Sequence, residues 1–256
     1  MMITFLLPSK DYDPTEAAVV WQALSKSNID VRFATPDGQV AYADERLVTT
    51  GFGLLSPMLM TKPDALQSYQ SMCSSEAFQN PLAYENVNLE VSDGLFIPGG
   101  HAKGVTSLLE SATAQKIVVA AFQMDLPVGC VCHGVLLLAR SIDAKTGKSV
   151  LYGRETTALV RTMELGAWAL TWLWLRDYYR TYDVSVEAEI KQALASPKDF
   201  KIGPLLPLRD NAKNLSAGFT VRDGNYISAR WPGDCYKLAH DFVNMVKEYG
   251  GVSPIV

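Results

Sequence analysis

The sequence lacks a long apolar run, a basic cluster and a cysteine-rich framework, and each shortage removes a class of function. The greasiest stretch, Ala167 to Leu175, falls far short of the about 20 residues a bilayer requires and closes at Arg176-Asp177. The apolar start, Met1 to Pro8, has no basic front end and no small-residue cleavage site. It runs into Lys10, Asp11 and Asp13 and reads as a first strand, not a signal peptide. A net charge of −4 offers no field for nucleic acid. The four cysteines (Cys73, Cys130, Cys132 and Cys235) do not form the pattern of a disulfide scaffold, so a reducing cytoplasm is the expected compartment. There is no internal repeat, low-complexity tract or linker.

What is present is a chain of 256 residues in which strand and helix patterns alternate. That alternation predicts an α/β fold with a mostly parallel, doubly wound sheet covered on both faces. Strands are expected at Ile3–Leu7, Asp30–Thr35, Gly94–Pro98 and Pro127–Cys130. Helices are expected at Pro14 to Lys26, Pro63 to Phe78, Val105 to Met124 and Val135–Ser141. Asp13 before Pro14 is an N-cap followed by proline in the first turn. Residues 39–62 show no firm period and read as a loop with local strands. Asp223-Gly224 between Ala217–Val221 and Tyr226–Ala229 is a hairpin signal, and Asp234 caps a last helix reaching Tyr249. One domain, 1–256, carries an inserted helical cap at about 165–213.

The segment Pro127-Val128-Gly129-Cys130-Val131-Cys132-His133-Gly134-Val135 reads strand, tight turn, helix. Cys130 and Gly134 are the small flanks that a nucleophile elbow needs, because the turn brings strand and helix backbones together. Cys132 then projects from the top of the sheet at a helix N-terminus, where backbone N–H groups favour a thiolate. Asp93 to His101 is a second strand running into Gly99-Gly100. Ligands of doubly wound sheets bind outside the carboxyl ends of the strands, so both loops belong on one rim. The amides of Gly100 and His133 are placed to form an oxyanion hole. Glu16, one turn into the first helix, belongs on the same rim. A carboxyl there is pushed toward its protonated form by a neighbouring thiolate and can shuttle a proton.

Glu16 within Asp13-Pro14-Thr15-Glu16, the Pro98-Gly99-Gly100-His101 loop and Val131-Cys132-His133-Gly134 together resemble the ThiJ/PfpI superfamily, relatives of the class I glutamine amidotransferases. The resemblance covers roughly residues 1–165 and the last strands and helix. Amidotransferases differ at the residue after the cysteine and carry a distant His-x-Glu that this chain lacks. The resemblance implies a flavodoxin-like three-layer sandwich, a homodimer, and functional roles for Glu16, Cys132 and His133. In the larger, heat-shock-like branch a downstream acid orients the histidine. Glu164, 31 residues after His133, has a similar spacing, with Asp143 and Asp234 as alternatives.

Each assignment has a plainer competitor. Cys132 as a core cysteine is outweighed by the elbow and the two loops. Cys130 reads as a structural flank, and a Cys130-x-Cys132-His133 metal site is disfavoured because Cys73 and Cys235 lack paired ligand spacing. No metal or other cofactor is expected. His133 reads as a general base beside the nucleophile; the plainer role is a mere amide donor. His101 either lines the pocket or is a solvated loop residue, and His240 beside Asp241 reads as surface. Trp168, Trp172, Trp174, Tyr178, Tyr179 and Tyr182 suggest core or dimer contact, with a pocket lid or a client-binding surface as alternatives. The leading expectation is an enzyme on a small carbonyl substrate, a glutathione-independent glyoxalase that turns methylglyoxal into lactate. The alternatives are a hydrolase of amidase, peptidase or isonitrile hydratase type, and a non-enzymatic stress chaperone or redox sensor.

Overall fold

A computed structural model describes residues 1–251, so residues 252–256 of the expected 1–256 domain lie outside the described part. Strand β1 (Met2–Leu6) is followed by α1 (Pro14–Lys26), β2 (Asp30–Thr35) and α2 (Pro63–Cys73). Next come β3 (Leu82–Ala83), β4 (Gly94–Ile97), α3 (Ala112–Gln123), β5 (Val128–Val131) and α4 (Gly134–Arg140). Helices α5 (Arg161–Leu175) and α6 (Val186–Ala193), the hairpin β6 (Thr220–Asp223) and β7 (Tyr226–Ala229), and α7 (Cys235–Tyr249) complete the chain. The seven strands form one sheet in the order β6-β7-β5-β4-β1-β2-β3. All neighbours are parallel except β6 and β7. The chain leaves β1 toward β2 and returns to β4 on its other side, which opens a crevice at the carboxyl ends of β1 and β4.

The middle of the sheet is pinned by one aromatic row. Phe5 sits opposite Phe33 on β2 and Phe96 on β4, with ring centroids 5.4 and 4.8 Å away. Phe78 and Phe242 extend the row at 5.2 and 5.5 Å. Gly129 leaves room for it: a Cβ there would lie 2.8 Å from both Phe96 and Phe242.

Several expected elements change at their edges. The helix expected over Val105 to Met124 breaks before Ser111, whose hydroxyl accepts from the Ala114 amide and caps α3. The helix expected to Phe78 stops at Cys73, and Ser75 caps a separate turn, Glu76–Gln79. The hairpin turn is Gly224-Asn225, because Asp223 pairs with Tyr226 as the last rung of β6. Helix α5 starts at Arg161, four residues ahead of the position about 165 expected for the helical cap, with Arg161 to Glu164 as its first turn. Only Glu164 and Thr171 of that helix are buried. Trp172 and Trp174 face outward, 40% and 47% exposed, so a core role for them is corrected. No helix among the described residues is long and apolar enough to cross a membrane.

The loop between α6 and β6 is fastened to the start of α7. Arg230, with no exposed surface, donates from Nε and Nη2 to the buried Asp234 carboxylate at 2.9 Å and from Nη1 to the Pro204 carbonyl. Removing one member of such a pair strands a buried charge. Arg230→Ala is therefore expected to lower the unfolding free energy by about 3–5 kcal/mol in urea denaturation. Asp210 holds the same loop: its Oδ2 accepts from the Lys237 amide at 2.7 Å, and burial pushes its carboxyl up to about 7. The raised pKa means that the folded chain keeps this proton where the unfolded chain has lost it. Its stabilising contribution is full at acid pH and fades as pH rises through about 7. Wild type measured against Asp210→Asn, which keeps the acceptor, should lose relative thermal stability between pH 5 and pH 8; a constant difference would count against this.

Candidate active site

Three loops at the carboxyl ends of β1, β4 and β5 converge. Cys132 follows β5 directly and adopts φ of 58°, a left-handed conformation that costs a non-glycine residue energy. The sheet enforces it, because the Cys132 amide still donates to the Ala229 carbonyl at 3.1 Å. The next residues must turn at once into α4, and glycine makes the turn possible. A Cβ on Gly99 would lie 2.7 Å from the His133 nitrogen and 2.9 Å from the Gly134 nitrogen. One on Gly134 would lie 2.6 Å from the Pro98 carbonyl.

Glu16 reaches this junction from α1. Its Oε2 accepts from the Gly99 amide at 2.8 Å, while buried Oε1 has no hydrogen-bond partner among the described residues. Asp13 places it, capping the amides of Thr15 and Glu16 while its own amide donates to the Gly99 carbonyl. Burial first, and the Asp13 charge second, push the Glu16 carboxyl well above its ordinary range; Gly99 opposes this. Burial raises Asp13 to about 6. Cys132 Sγ stands 3.6 Å from His133 Nδ1. Burial and the Glu16 charge push the thiol well up, and the His133 amide only partly offsets them. The helix N-terminus favours the thiolate, as its position suggests, while burial acts in the opposite direction. Burial, then His101 and Arg140, push His133 well down, which leaves a neutral ring able to accept a proton.

His133 Nε2 is buried and has no hydrogen-bond partner among the described residues. Glu164 does not supply one. It sits in the first turn of α5, and its Oε2 accepts from the Val186 amide at 2.9 Å, capping α6 instead. Asp143 accepts from Gln123 and the Lys145 amide, and Asp234 is held by Arg230. The neighbour of His133 is instead His101, ring to ring at 4.9 Å. His101 is half-buried, its Nε2 is unpartnered, and burial lowers it to about 4. One ligand atom each from His101, Cys132 and His133 lie within 4.8 Å of one another. Cys130 is not a member of that group; it lies on β5 as the buried flank. His240 lies on α7 with its Nε2 3.0 Å from Asn244.

Residues that follow α5 reach the His101 loop. The Thr181 hydroxyl donates to the His101 carbonyl at 2.7 Å, and the Tyr179 ring stands 6.0 Å from the His101 ring. Tyr178 and Tyr179 both donate to Asp44, at 3.0 and 2.7 Å, and Tyr179 stacks on Phe52. Cys132 is fully buried. An open cleft of about 440 Å³ is lined by Lys10, Asp11, Tyr69 and Tyr178, not by Cys132. Asp44, Phe52, Thr181 and Arg209, whose charge acts on Asp13 and Glu16, carried no sequence signal.

A strained cysteine at a strand-to-helix elbow, faced by a buried carboxyl on a glycine loop, defines a class of α/β proteins. A family model described as ThiJ/PfpI family-like matches residues 7–204, and the chain belongs to that family. Deglycase TK1284 of Thermococcus kodakarensis is 26% identical over 170 residues, 65% of this chain and 69% of that protein. The glutathione-independent glyoxalase hsp3101 of Schizosaccharomyces pombe is 23% identical over 152 residues, 59% of each chain. The crystal structure of glyoxalase III from Candida albicans superposes with a TM-score of 0.68 at 18% identity, over 95% of this chain and 96% of that one. This last likeness fixes the flavodoxin-like fold.

The glycine junction yields a paired test. Gly99→Ala forces backbone apart and is expected to cost about 1–3 kcal/mol or more in denaturant unfolding. Gly166→Ala, in α5 with nothing within 4 Å of the added carbon, should be neutral or stabilising by about 0.5–1 kcal/mol.

Proposed function

We propose that the chain is a cysteine-dependent enzyme of the glutathione-independent glyoxalase type, converting a small 2-oxoaldehyde such as methylglyoxal to the 2-hydroxy acid. The observation that carries this reading is the Glu16 carboxyl. It is fixed by one oxygen to Gly99, bare on the other, and close enough to the thiol that each shifts the other's proton. Proton transfer between adjacent carbons needs such a group, held in place and kept out of water.

In this scheme Cys132 Sγ bonds to the aldehyde carbon as its proton passes to the neutral His133 ring, 3.6 Å away. The carbonyl oxygen becomes the hydroxyl of a hemithioacetal. The amides of Gly100 and His133 stabilise the oxyanion that forms on the way; the Gly99 amide is spent on Glu16. His133, or Glu16 in its ionised form, then removes the proton from the former aldehyde carbon and returns it to the neighbouring carbon, while the hydroxyl proton passes to that neighbour's oxygen, leaving a 2-hydroxy thioester on Cys132. Water cleaves the thioester, releasing lactate and the free thiol. Substrate, water and product balance without an outside oxidant or reductant. In this reading the His101 ring, edge-on to Tyr179 at 6.0 Å, limits the site to small substrates.

The relatives named deglycase favour a second reading, in which the same sulfur attacks the carbonyl carbon of an aldehyde adduct on an amine. Purified protein should form lactate from methylglyoxal without glutathione. Cys132→Ala should abolish it, and Glu16→Gln should lower kcat by on the order of 100-fold or more with a smaller effect on KM. Turnover that survives Cys132→Ala would refute the scheme. Turnover of an amine adduct with none of free methylglyoxal would favour the second reading.

A further inference from the structure

The cluster formed by His101, Cys132 and His133, two of whose members carry the proposed reaction, also offers a soft donor set for which that reaction has no use as a metal site. We propose that it is a binding site for a thiophilic divalent transition metal, of which Zn²⁺ is the best fit, and that the bound ion masks the nucleophile reversibly.

The geometry is already most of the way to a tetrahedral site. Zinc–sulfur and zinc–nitrogen bonds of about 2.3 and 2.0–2.1 Å place S and N ligand atoms roughly 3.5 Å apart. The Cys132 Sγ–His133 Nδ1 separation is 3.6 Å. The widest spacing in the trio is within 4.8 Å, so His101 closes the site by swinging inward about 1 Å. His101 is the member that can do so: it lies on a loop, is half-buried, and its Nε2 has no partner to give up. Three protein ligands leave the fourth position to water, an open site rather than a sealed structural one. One thiolate and two imidazoles also select zinc over magnesium or calcium, which take oxygen donors.

A buried dication needs compensating charge. The thiolate supplies one negative charge, and the Glu16 carboxyl beside it supplies a second when the incoming dication drives its proton out to solvent as well. On binding, the thiol proton leaves to solvent and the sulfur lone pair that would attack a carbonyl forms the metal bond. A competing chelator reverses both changes. Metal occupancy and turnover therefore exclude one another, so the site works as a switch responsive to free zinc. Binding does not depend on which carbonyl the enzyme processes.

Cobalt titration of the metal-free protein tests this without any assay of activity. The expected result is one equivalent of Co²⁺ bound with an intense thiolate-to-cobalt charge-transfer band and tetrahedral visible bands, both displaced by Zn²⁺. Cys132→Ala should lose the charge-transfer band entirely. His101→Ala, on the loop outside the elbow, should bind at least tenfold more weakly. Circular dichroism identifies any variant that has failed to fold, and for the wild type alone Zn²⁺ should block alkylation of Cys132 by iodoacetamide until chelator is added. Cobalt bound without the charge-transfer band, equal affinity in folded His101→Ala, or alkylation unaffected by Zn²⁺ would each overturn the proposal. Loss of lactate formation would leave these readouts unchanged, so the two ideas fail separately.

Discussion

The approach of the Gly99 backbone to the first turn of α4, closer than any β-carbon permits, is the constraint on which the site depends. It lies beside Cys132, which the sheet holds at φ of 58°. It also aims the Gly99 amide at Glu16, which ties α1 to the β4 loop. Asp13 braces the contact from the other side by donating to the Gly99 carbonyl while capping α1. The nucleophile's strain, the carboxyl's position and the helix start are thus one arrangement. The strain is tolerable because β7 holds the Cys132 amide and the aromatic row holds the sheet.

Burial, more than any single partner, sets the electrostatics. Glu16, Cys132 and His133 all shift toward their neutral forms, and burial is the first cause for each. The amide at the helix start acts against burial at Cys132, as its position suggests.

Much of this was legible in the sequence because its signals are local. Pro14 to Lys26 and Asp30–Thr35 match α1 and β2, since a proline in a capped first turn and a closing Pro36-Asp37-Gly38 mark their ends. The meeting of Glu16, Gly99 and Cys132 followed from the rule that parallel strands present their carboxyl ends on one rim. What failed rested on distance in space. Glu164 matched a spacing, yet its carboxylate satisfies the nearer need, the bare amides of α6. His101 read as ambiguous because its value lies in its neighbour across the loop. Asp44 lay in a stretch with no period, and nothing local shows that two tyrosines more than a hundred residues away converge on it.

Those two tyrosine hydroxyls share a single carboxylate, and the next few residues fasten the His101 carbonyl. Cys132 has no exposed surface, and a buried thiol meets an electrophile only as often as the packing around it opens.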